Sequence, residues 1–131
     1  MVYPGFYRRN ESGDIMPSIT DNSLSAVASD LRALATFLDQ SVPPKKPSQN
    51  LLIATWNLRA FASLTRKWTA GEQDSPKRDL RGLLAIGEIV RRFDVVAIQE
   101  AKGDLRAMRD MLRWLGDDWA FDDQHYTGIS R

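Results

Sequence analysis

Two polar residues stand where chemistry is easiest to build. Asn57 follows the apolar run Leu51-Leu52-Ile53-Ala54-Thr55-Trp56, and Glu100 follows Asp94-Val95-Val96-Ala97-Ile98-Gln99. Each run has the length of a strand, contains no breaker, and is as continuously apolar as a strand covered on both faces. If the strands are parallel neighbours, the two polar groups emerge together at the carboxyl ends, where open α/β sheets bind ligands. A carboxylate such as Glu100 suits Mg²⁺, a hard ion that takes one or two protein carboxylates and completes its shell with water and substrate phosphate. Asn57 can donate its amide to a phosphate oxygen or accept from an ordered water. Neither supplies a nucleophile or a general base alone.

The elements that would position this pair are legible from spacing. Residues 57 to about 75 read as polar and irregular. Ser75 before Pro76 predicts an N-cap and a first-turn proline, opening a helix that runs to about Arg92. Leu80, Leu83, Leu84, Gly87 and Val90 should face inward, and Lys77, Arg78, Arg81, Glu88 and Arg91 should be wet. Asp104 is expected to cap a third helix, with Leu105, Met108, Leu112 and Leu115 on one face and Gly116 as its stop. Strand, helix, strand, helix implies a parallel pair joined by a right-handed crossover, hence an α/β domain. Trp119-Ala120-Phe121 could begin another strand.

Upstream, residues 1–22 carry Pro4, Gly5, Gly13 and Pro17 without helical or strand period and read as a flexible lead. Residues 23–40 predict an amphipathic helix, capped by Asn22 or Ser23, with Leu24, Val27, Leu31, Leu34 and Leu38 on one face. That stripe suits a dimer seam over residues 23–38 and packing against its own domain equally. Residues 41–50 hold Pro43, Pro44 and Pro47 and read as an extended proline-rich spacer.

Composition narrows the function classes. Eighteen basic residues against seventeen acidic leave a formal net charge of +1, so nucleic acid would not be held by bulk electrostatics and phosphate recognition has to be local. The chain has no cysteine, which excludes disulfides, thiolate nucleophiles and Cys-ligated zinc. His125 is the single histidine, which excludes a clustered histidine metal site. No run of about 18 apolar residues occurs and the first 22 residues lack the apolar centre of a signal peptide; no membrane span and a cytoplasmic location are the expectations.

The two motifs together, Ile53-Ala54-Thr55-Trp56-Asn57-Leu58-Arg59 and Asp94-Val95-Val96-Ala97-Ile98-Gln99-Glu100, resemble the opening motifs of the endonuclease/exonuclease/phosphatase family. The likeness covers roughly residues 51–121, and Ser75-Pro76-Lys77-Arg78-Asp79-Leu80 and Lys102-Gly103-Asp104-Leu105 look like a bacterial branch of it. It implies the N-terminal part of a two-sheet α/β sandwich over residues 51–131, preceded by the helix and the spacer. It also implies a hydrolase of phosphodiester or phosphomonoester bonds that uses Mg²⁺ or Mn²⁺. By that resemblance Glu100 binds the metal and Asn57 stands at the active centre as a second catalytic and metal-site residue. Nucleic acid is the favoured substrate; other phosphoesters remain possible partners of the complete domain. The family's later motifs, a tyrosine or equivalent, an Asp-x-Asn pair and an Asp-His pair, have no counterpart here, and His125 has the wrong neighbours. The expectation is therefore an incomplete domain. The alternative is a non-catalytic remnant or interaction module that uses the N-terminal helix. Gln99 reads as a structural strand-end group, and Trp56, Trp68, Trp114 and Trp119 read as core. Arg59, Arg66, Lys67, Lys77 and Arg78 read as solvated surface rather than phosphate contacts.

Overall fold

The computed structural model of the chain describes residues 24–101 and 104–121. The element order is α1 (Leu24–Ser41), β1 (Ile53–Phe61), α2 (Leu80–Val90), β2 (Val95–Ala101) and α3 (Arg106–Leu115). The architecture is mixed α/β: β1 and β2 pair in parallel, with Ile53 opposite Val95 and Asn57 opposite Gln99. Asp94 starts this pairing. Its backbone N–H donates to Leu52 O at 2.8 Å and its Oδ2 accepts from Leu52 N at 2.7 Å.

The expectation of strands covered on both faces is corrected. Trp56, Val96 and Ile98 lie half-buried against the helices, as alternation along a strand allows. The other face, with Ile53, Thr55, Asn57, Val95, Ala97 and Gln99, is exposed; Ile53 keeps 62% and Val95 51% of its surface. A purely apolar run cannot tell one covered face from two, because Ile, Val and Ala suit either.

The core joins Val27 and Leu31 of α1, Leu58 and Phe61 of β1, Trp68, Leu80, Leu83, Leu84 and Val90 around α2, and Ala107, Met108, Met111 and Trp114 of α3. α2 packs against both other helices. Val27 and Leu31 of the α1 stripe thus join the chain's own core and Leu38 is buried, and Arg81–Asp30 and Arg92–Asp39 ion pairs fasten the helix's outer edge. Gly87 lets α2 approach α3: a Cβ built there would stand 2.5 Å from Trp114 Cδ1.

Several boundaries differ from expectation. The spacer is not extended throughout. Asn50 closes a turn by accepting from Lys46 N at 2.8 Å and donating to Pro44 O at 3.0 Å, and the Lys45 ammonium sits 5.1 Å over the Trp119 ring. α2 begins at Leu80 rather than at Pro76, because Asp79 is its cap and accepts from Gly82 N at 2.8 Å. Lys77 and Arg78 therefore belong to the preceding loop. Glu88, expected in water, is buried and paired with Arg91 at 3.2 Å. In α3 the buried stripe is Ala107, Met108, Met111 and Trp114, while Leu105, Leu112 and Leu115 lie at its margin. Residues 119–121 form no strand, although Trp119 and Phe121 pack against the core. The predicted lead over 1–22, the motif residues Lys102 and Gly103, and the segment containing His125 lie outside the described residues.

Candidate functional site

β1 does not end at Asn57. It continues to Phe61 through an irregularity in which Leu58, Arg59 and Ala60 stand opposite the single β2 residue Glu100 before Phe61 pairs with Ala101. Arg59 and Ala60 take the left-handed backbone, with φ of 39° and 53°. Such a conformation costs a non-glycine residue about 1–3 kcal/mol and persists only where the surroundings impose it. The left-handed pair re-aims the strand: Leu58 and Phe61 are both buried, whereas strict alternation would have turned Phe61 outward.

Three sets of hydrogen bonds hold this bulge. Asn57 Oδ1 accepts from Arg59 N at 2.9 Å, so the candidate asparagine is the pivot of the turn. The Arg78 guanidinium donates to Leu58 O at 2.6 Å, Arg59 O at 3.3 Å and Ala60 O at 3.1 Å, and lies 5.3 Å from the Phe61 ring centroid. Burial draws the Arg78 guanidinium below its usual pKa. Finally, Ala107 N donates to Ala62 O at 2.8 Å, which fastens the end of β1 to the first turn of α3.

The sequence-nominated pair is brought to adjacent register positions of the two parallel strands, with Asn57 midway along β1 and Glu100 next to the last residue of β2. Asn57 is exposed beside its register partner Gln99, and the backbone of Glu100 is the next position of β2. The Glu100 side chain lies outside the described residues. By type the nominated donors suit a hard divalent ion, with one carboxylate and one amide oxygen leaving room for several waters. Among the described residues, no group of three or more His, Cys, Asp and Glu side chains is arranged to hold a metal.

Neighbouring carboxylates have other work. Asp104 is gripped by the Arg106 side chain at 2.7 to 3.1 Å and by Arg106 N at 3.0 Å, and these bonds hold it below the usual carboxylate range. Asp79 caps α2 and also accepts from Ala70 N at 2.9 Å. Asp110 is buried, with Arg66 at 3.3 Å and Arg113 at 3.5 Å; burial pushes its carboxyl up against the pull of these arginines. Sequence reasoning missed Arg78 and Asp94. The available signal was Asp79 directly before apolar Leu80, which marks a later helix start and frees Arg78 for the loop.

Comparison with profiles of protein families, with curated proteins and with solved structures finds no match for this chain.

Proposed function

We propose that Asn57 and Glu100 form part of the active site of a Mg²⁺- or Mn²⁺-dependent hydrolase of phosphodiester or phosphomonoester bonds. The proposed relationship is to the endonuclease/exonuclease/phosphatase family, with nucleic acid as the favoured substrate and the cytoplasm as the location. One observation carries the reading: in the parallel register Asn57, midway along β1 and just before its bulge, lies level with Gln99 and one position from Glu100. The exposed apolar positions Ile53 and Val95 are those that a second sheet of a two-sheet sandwich would cover.

Glu100 would hold the ion, whose charge would stabilise the phosphoryl oxygens when bound. Asn57 acts through its amide. Oδ1 accepts from Arg59 N and has a second lone pair that would face the ion or a water, and the amide N–H groups would donate to a phosphate oxygen. Asn57 does not titrate, and a metal-bound carboxylate is a poor base, so proton transfer falls to a group beyond this pair.

Mn²⁺ titration followed by electron paramagnetic resonance tests the proposal. Binding should be lost in Glu100→Gln and weakened in Asn57→Ala; equal binding in wild type and Glu100→Gln would refute it. Assay of the same chain on plasmid and on an aryl phosphodiester should give little or no turnover. Turnover abolished by Glu100→Ala would show the pair to be sufficient, against this account. The competing reading, a partner-binding module using residues 23–38, would have to employ the outer face of α1, where Phe37 is 63% exposed.

A further inference from the structure

The bulge in β1 is held from outside the strand. Three β1 residues, Leu58, Arg59 and Ala60, stand against Glu100 alone, and two of them are left-handed without being glycine or asparagine. Local sequence therefore does not explain the conformation. One side chain meets all three carbonyls: Arg78, through Nη2 to Leu58 O and Arg59 O and through Nη1 to Ala60 O. Its own backbone is fixed as well, because its carbonyl accepts from Thr65 N at 2.8 Å and its neighbour Asp79 caps α2.

We propose that Arg78 is a positioning residue of the candidate site: it holds the Leu58–Ala60 bulge opposite Glu100 and so sets where Asn57 stands relative to that residue. The inference rests on the reading that Asn57 and Glu100 share one site. The chemistry selects arginine. Carbonyls from three successive residues converge on a planar fork of donors, whereas a lysine offers a compact point charge that cannot span them. The flat guanidinium also faces the Phe61 ring, a contact that strengthens on desolvation. Through these three bonds to the chain's own carbonyls, Arg78 acts on the site by way of the backbone.

Amide hydrogen exchange reads the bulge directly, because Arg59 N–H donates to Asn57 Oδ1, while the Leu83 and Met111 amides report the core. In Arg78→Ala, exchange at Arg59 should accelerate about tenfold or more with the core amides unchanged, the mark of local rather than global opening. Millimolar guanidinium should slow it again, and Arg78→Lys should behave as Arg78→Ala does. Mn²⁺ affinity should fall in both variants. Unchanged exchange at Arg59, or equal acceleration of core and bulge in both variants, overturns the proposal. So does a loosened bulge that leaves Mn²⁺ affinity intact. A wild type that binds no Mn²⁺ refutes the shared site instead, and leaves the exchange data to judge whether Arg78 holds the bulge.

Discussion

Two glycines on α2 should respond to the same substitution with opposite sign. Replacing glycine by alanine inside a helix ordinarily stabilises by about 1 kcal/mol, because alanine has less backbone entropy to lose. At Gly82 the new Cβ would meet only Asp79 Oδ1 at 3.4 Å, an ordinary contact, so most of that gain should appear. At Gly87 it would stand 2.5 Å from Trp114 Cδ1 and 3.1 Å from Trp114 Nε1. Trp114 is itself buried and belongs to the core. It cannot swing aside without opening the α2–α3 contact, and overpacking of this kind costs about 1–3 kcal/mol. Subtracting the propensity gain leaves Gly87→Ala destabilised by about 1 kcal/mol, some 2 kcal/mol below Gly82→Ala. With a urea dependence of about 1–3 kcal/mol per molar, the two midpoints should differ by roughly 1–2 M. Urea titration of dilute protein, followed by tryptophan fluorescence, measures this directly. Equal stabilisation by both substitutions would show that α2 and α3 do not approach so closely.

Other consequences follow from burial and exposure. Burial raises the Asp110 carboxyl, so the folded chain binds this proton more readily than the unfolded chain. Between the unfolded and the raised folded pKa, the stability from this group falls as pH rises. Asp110→Asn should therefore flatten the pH dependence of the urea midpoint on the acid side of neutrality, and an unchanged slope would contradict the assignment. The exposed apolar face, with Leu51, Ile53 and Val95 at 65%, 62% and 51% exposure, should bind a hydrophobic dye and drive association as concentration rises. Ile53→Thr with Val95→Thr should reduce both while keeping strand propensity; a monomeric wild type with sharp unfolding and no dye binding would count against it.

The order of elements was legible because each has a strong local signature: two unbroken apolar runs, and leucines three and four apart over α2. Residues that act at long range were not. Arg78 reads as one more charged residue beside Lys77, and only the backbone of β1, 18 to 20 positions away in sequence, gives it a role. The bulge itself is silent, since left-handed positions are normally advertised by glycine or asparagine and here they are Arg59 and Ala60. Trp68 lies in a stretch that reads as polar loop, and only its residue type marks it as the core residue it proves to be. Glu88 sits where the helical period predicts water, and its burial depends on Arg91 one turn later. At the site, the spacing of the two motifs placed Asn57 and Glu100 on neighbouring parallel strands, but it ended the first strand at Asn57, whereas β1 runs on to Phe61. It could not show that three β1 residues lie opposite Glu100.

The most direct test of the central claim is to map where Mn²⁺ sits on the chain. Paramagnetic broadening of backbone amide signals falls steeply with distance from the ion, so substoichiometric Mn²⁺ should first erase the signals of Asn57, Arg59, Gln99 and Glu100. Those of Ile53 and Val95, at the opposite end of the strands, should persist. Glu100→Gln should abolish the effect. Broadening centred on another carboxylate, such as Asp74 or Asp104, or a pattern unchanged in Glu100→Gln, would contradict the assignment of this strand end as a metal and phosphate site.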